Sequence, residues 1–232
     1  MEPMQPVPRI PGMSLLADTG PAAWVERALN GVDSSGGWTV ATLVPPVFAA
    51  YARVLPPTYD REQRRHRWSE IAAHVSAPLT AGTRFDDLVA GSDRWGRPSD
   101  GGLDAEVTAA LVDVLSAFTA TPDEAFFCVW EGFGDEETEA WRDRPMRVRV
   151  PHREYHLLAG PLAAAPLLPT PLDWRCANLW WPADRAWLVA TEIDGYLTYM
   201  GGSRAAIDAV LAAPALDAVE AEPSTRLDPN YG

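Results

Sequence analysis

Three groups of residues combine types and spacings that could carry chemistry. Glu192 lies in WLVATEIDGYLTYM, and if this stretch is a hairpin its carboxylate shares a face with Leu188, Ala190, Leu197 and Tyr199, an apolar setting suited to a general acid or base. An arginine partner, with Arg185 or Arg175 nearest in sequence, would make it a structural ion pair instead. His152, Glu154 and His156 alternate, so on a strand all three share one face and offer two imidazoles and a carboxylate. No C-x-x-C or H-E-x-x-H spacing accompanies them, and a solvated polar face reads the same way, so no metal is expected. Gly201-Gly202-Ser203-Arg204-Ala205 resembles a nucleophile elbow, G-x-S-x-A. All four histidines precede Ser203, whereas that motif needs its histidine afterwards. Ser203 is better read as the N-cap of a helix from Arg204 to Ala212, with the Gly202–Ser203 amides also able to receive an anion.

A fourth group is cationic. Arg61, Arg64, Arg65, His66 and Arg67 fall in the first turns of a helix that Asp60 is expected to cap, with Gln63 at the capping-box position and Trp68, Ile71, Ala72 and Val75 as its apolar stripe. Cations at a helix start oppose the macrodipole, so Arg64 and Arg67 are candidate contacts for a small anionic ligand or an acidic partner, beside the plain reading of a solvated face.

Composition removes several chemistries. All 19 basic residues are arginine, which excludes lysine Schiff bases, P-loop lysines and lysine general bases. The net charge of −13 repels nucleic acid and anionic membranes, so any anion must be caught by a local arginine cluster. Cys128 and Cys176 form no metal or disulfide pattern and read as buried thiols. No cofactor is implied. No run is long enough for a membrane span, and the first residues lack a signal-peptide pattern, so the expected location is cytoplasmic.

These residues need elements to position them. The expected frame is one α+β domain over 14–221, between a flexible N-terminal segment (1–13) and a polar tail (222–232), with helices on a mainly antiparallel sheet. WTVATLV (38–44) reads as a strand, and VFAAYARVL, from Val47, as a helix with Phe48, Tyr51 and Leu55 on one side. The stretch 103–118 is the strongest helix, with Leu103, Val107, Leu111, Val114, Leu115 and Phe118 on its apolar face. AFFCVWEG, MRVRV (146–150) and REYHLLAG (153–160) read as strands, GDEETEAW as a short acidic helix or loop, and 160–173 as a long loop.

Asp194-Gly195 predicts a two-residue type I′ turn pairing Thr191 with Thr198 and Val189 with Met200. Trp187 then joins Val189 and Met200 in the core. Trp180 and Trp181, in NLWWPADRAW, point to opposite faces if 178–181 is a strand, so only one can share that layer and either can line a ligand pocket.

The segments PHREYHLLAGPL (151–162), NLWWPADRAW, TEID (191–194) and YMGGSRAAIDAVLAAPALDAVE (199–220), with LVPPVFAAYARVLPP (43–57) upstream, resemble a widespread family of uncharacterised actinobacterial proteins. The resemblance covers most of the chain and implies no activity and no catalytic residues. Two function classes remain: a non-catalytic binding or interaction protein, whose partner is another protein or a small anionic ligand, and a small-molecule enzyme using Glu192 with His152 or His156.

Overall fold

Among the described residues, nine strands pair antiparallel into one sheet, in the order Ser14–Leu15, Arg153–Gly160, Ala125–Trp130, Leu179–Pro182, Trp187–Thr191, Thr198–Gly202, Ala50–Val54 and Ala218–Ala221, with Val148–Val150 also on the Arg153–Gly160 strand. The computed structural model describes residues 10–133, 141, 146–168 and 176–227. The strands are β1 (Ser14–Leu15), β2 (Ala50–Val54), β5 (Ala125–Trp130), β6 (Val148–Val150), β7 (Arg153–Gly160), β8 (Leu179–Pro182), β9 (Trp187–Thr191), β10 (Thr198–Gly202) and β11 (Ala218–Ala221). A separate hairpin joins β3 (Thr58–Tyr59) to β4 (Arg65–His66). The helices are α1 (Ala23–Asn30), α2 (Trp68–Val75), α3 (Phe85–Val89), α4 (Ala105–Leu115) and α5 (Arg204–Ala212). This is a single α+β domain.

Both faces of the sheet are covered. On one, α4 and α5 pack Leu111, Leu115, Ile207 and Val210 against Phe127, Trp180, Trp187, Val189 and Met200. On the other, α1 and the segment 40–44 pack Val25, Leu29, Val40 and Val44 against Cys128, Leu157, Trp181, Leu188 and Tyr199. A smaller cluster sets Trp68 and Ile71 of α2 and Phe85 of α3 against Tyr196.

The hairpin register holds: Thr198 pairs with Thr191 and Met200 with Val189. Its turn differs from the predicted one. Neither Asp194 nor Gly195 has a positive φ, so the connection is not type I′; the Glu192 carboxylate accepts the Ile193 and Asp194 amides at 3.0 and 3.3 Å and shapes a wider loop. Ser203 caps α5 as expected, accepting the Ala206 amide at 3.2 Å. Gly201 is required by contact: a Cβ there would lie 2.4 Å from the Phe48 ring.

Five other expectations are corrected. VFAAYARVL contributes β2, paired with both β10 and β11; it is buried on both faces, so it lacks the polar alternation that marks a half-exposed strand. Residues 40–42 form a 3₁₀ turn, because the Val40 and Ala41 amides bond Thr225 O and Pro223 O. The arginine run precedes its helix: Asp60 accepts the Glu62 and Arg64 amides and closes the β3–β4 turn, with Gln63 at φ 61°. α2 therefore starts at Trp68, and Glu70 caps it by accepting the Arg67 amide. Leu162–Leu167 is a 3₁₀ helix within the stretch drawn as a loop. Residues 134–140 of GDEETEAW, residues 1–9, 169–175 and 228–232 lie outside the described residues. Up to Leu227, which is buried and donates its amide to Trp38 O, the tail packs on the domain.

Trp187 is fully buried and its indole donates to Leu115 O at 3.2 Å. Trp180 meets it edge to face at 5.2 Å, and Trp181 is equally buried in the opposite layer. Replacing any of the three with Ala is expected to cost about 3–5 kcal/mol, since each leaves a cavity under a covered face. Urea denaturation midpoints check this; a Trp181→Ala chain as stable as wild type would show that its layer is not packed as described.

Candidate functional site

Glu192 is gripped from several sides. Its Oε1 accepts Arg153 Nη2 at 2.9 Å as well as the two loop amides, and only 4% of the residue is exposed. The same Arg153 nitrogen also binds Asp194. The cation is thus Arg153, not Arg185, whose guanidinium lies over Trp24; Arg175 is outside the described residues. Beside this pair Tyr155 is buried, and burial together with the Glu192 charge pushes its phenol far above the usual range.

The histidines do not join Glu192. His152 sits in the turn between β6 and β7 at φ 67°, stacked on Trp38 with centroids 5.7 Å apart. It therefore does not share a strand face with Glu154 and His156, as the alternation suggests. Glu154 pairs with Arg149 at 3.0 Å. His156 is buried against the Trp141 ring at 5.3 Å and projects from the face of β7 opposite Arg153. Among the described residues no group of three His, Cys, Asp or Glu side chains could hold a metal.

The other candidates are distributed over the fold. Trp180 and Trp181 lie in the two core layers. Arg64 binds Asp60 at 2.7 Å and Glu62 at 3.0 Å, and Arg67 donates to Pro214 O. Gly202 and Ser203 form the entry to α5, with the Trp187 Cβ 3.2 Å from where a Gly202 Cβ would lie. A buried arginine that the sequence reading missed, Arg53, donates to Ala81 O and Thr83 O and lies under the Trp68 and Tyr199 rings.

A cleft of about 370 Å³ opens where β2 ends and α4 begins. Pro56, Pro57, Tyr59, Ser99, Gly102, Asp104, Ala105 and Glu106 line it. Its volume falls in the small-molecule range of about 300–1,000 Å³. Tyr59, the aromatic residue among these, is 41% exposed. Burial first, then Asp104 and Glu106, push its phenol above the usual value, while its cross-strand partner Arg65 pulls it back. Asp104 caps α4 through Oδ1, which accepts the Glu106 and Val107 amides.

Glu192 bears on this cleft from behind. The loop it shapes receives the Gly101 amide on Gly195 O at 2.8 Å. Gly101 has φ 75°, and a Cβ there would lie 2.6 Å from Ile193 O. The 99–102 wall is thereby held against the 193–195 loop. The opposite wall is held through Tyr59 O, which accepts the Gly96 amide, and through the Asp60 turn. His66 and Arg64 both bond Asp60, and these hydrogen bonds hold its carboxyl well below the usual range.

No family model matches the chain, and neither a curated protein nor a solved structure matches it.

Two outcomes follow. Arg153→Met leaves a buried carboxylate without its cation and is expected to cost about 3–5 kcal/mol, whereas Arg153→Met combined with Glu192→Leu recovers part of that loss. A single variant with a wild-type denaturation midpoint would remove the ion pair as a support. For Asp60, the folded pKa is depressed, so its stabilisation is present above the unfolded value near 3.8 and is lost as pH falls toward the folded one. Asp60→Asn should therefore lower stability at neutral pH and flatten the acid limb below about pH 4. Melting curves from pH 2 to 7 read this, and parallel acid limbs in both proteins would contradict it.

Proposed function

We propose that the protein is a non-catalytic binding protein whose small-molecule ligand occupies the cleft between Pro56 and Glu106. One observation carries this reading: the ligand-sized cavity is lined by proline, tyrosine, serine and carboxylates, while Glu192, His152 and His156 are placed elsewhere. The acid–base pair on which an enzyme reading depends does not converge: Glu192 is bound to Arg153, and His156 stands on the other side of the sheet. The Glu192–Arg153 pair then has a supporting role, bracing the loop on which the 99–102 wall rests.

Membership of the actinobacterial family is part of this proposal and rests on the segments that carry the resemblance. A cytoplasmic setting is likewise proposed, supported by the two free, buried cysteines. No helix among the described residues is long and apolar enough to cross a membrane.

Amide chemical-shift mapping with a fragment collection tests the site. Perturbations are expected at Tyr59, Ser99, Gly102, Ala105 and Glu106. Perturbations centred on Glu192, His152 and Trp38 would overturn the reading, as would turnover of any bound fragment.

A further inference from the structure

The cleft is not chemically neutral, and its charge selects a ligand class. Resting on the reading above, we infer that the cleft is a site for a small organic cation, a primary ammonium or amidinium group attached to an apolar body, held by Glu106 and Asp104 with Tyr59 against its side.

The two carboxylates are available to a ligand. Asp104 spends Oδ1 on the two helix amides, and its Oδ2 accepts no hydrogen bond among the described residues. The Glu106 side chain has neither an ion pair nor a hydrogen bond among the described residues, although Asp60, Glu62, Asp93, Glu192 and Glu220 each hold an arginine. Both acids lie close enough to the Tyr59 hydroxyl to act on it electrostatically. Carboxylates with an aromatic side form the usual complement of an organic cation, contributing charge and cation–π attraction together. Pro56 and Pro57, both buried, give the floor that an apolar body requires.

Two local features act against a cation, and both are outweighed. The start of α4 carries about half a positive charge, but two full negative charges stand in front of it and Asp104 already closes two of its amides. Arg65, the cross-strand partner of Tyr59, is close enough to act on the same hydroxyl, but it does not line the cleft, whereas both acids do. At longer range the −13 charge of the chain attracts cations and repels anions.

The test uses isosteric probes with the full-length protein. Benzylamine, benzamidine, benzyl alcohol and benzoate are titrated by calorimetry at low and at physiological salt. Benzylamine and benzamidine are expected to bind at least tenfold more tightly than benzyl alcohol, with benzoate weakest and the preference shrinking as salt rises. Glu106→Gln should weaken the cations at least fivefold. Asp104→Asn should do the same while preserving the cap, since Asn caps a helix as well as Asp does. Equal binding of benzyl alcohol and benzylamine, lost on Tyr59→Ala, would overturn the cation inference and leave the cleft as a ligand site. Benzylamine binding unaffected by Tyr59→Ala, Glu106→Gln and Asp104→Asn would overturn the inference by placing the cation elsewhere. Absence of binding by all four probes up to millimolar concentration would overturn both readings.

Discussion

The structure depends on one constraint: a single antiparallel sheet is buried on both faces. Each central strand must then supply two apolar layers at once, and consecutive residues are sorted between them. Trp180 and Trp181 on β8, Phe127 and Cys128 on β5, and Met200 and Tyr199 on β10 each divide in this way. Such a sheet leaves little room for polar chemistry in its middle. Polar groups that enter must be bonded from the side, as Arg53 is by the carbonyls of Ala81 and Thr83, or be placed at strand ends, as Glu192 is. The cleft lies at a strand end for the same reason.

What could be read from the sequence follows from this constraint. The β9–β10 register was legible because Asp194-Gly195 lies between two apolar runs, and the number of residues in a turn limits register even when its backbone type differs. Ser203 was legible because capping is local, as was the α4 stripe. β2 was not legible: with all five residues buried, an alanine-rich strand has no polar face to betray its period, and Phe48, Tyr51 and Leu55 imitate helical spacing. The 60–67 segment misled for a related reason, since an aspartate that takes two following amides serves a turn as readily as a helix.

The candidate site was less legible than the fold, because its parts are far apart in sequence. Glu192 was identified as a buried carboxylate, but Arg153 is 39 residues away and reaches it from β7, beyond any local pattern. The cleft draws on a strand end, a loop and a helix start, between Pro56 and Glu106. No motif spans those pieces. What the sequence does carry is the large negative charge, and the structure places Asp104 and Glu106, which hold no arginine among the described residues, in one cleft with Tyr59.

The 193–196 loop limits how this chain could vary. Hairpin tips are ordinarily where insertions are accepted, because their backbone is exposed and serves no other segment. Here Glu192 fixes the loop from within, Arg153 fastens Asp194 to β7, and Gly101 donates its amide to Gly195 O with no space for a side chain against Ile193 O. The tip is in effect an internal joint between three distant stretches of chain. Length variation among descendants of this sequence should therefore avoid it and collect at less connected turns, and a peptide grafted there would disturb the wall of the cleft along with the hairpin.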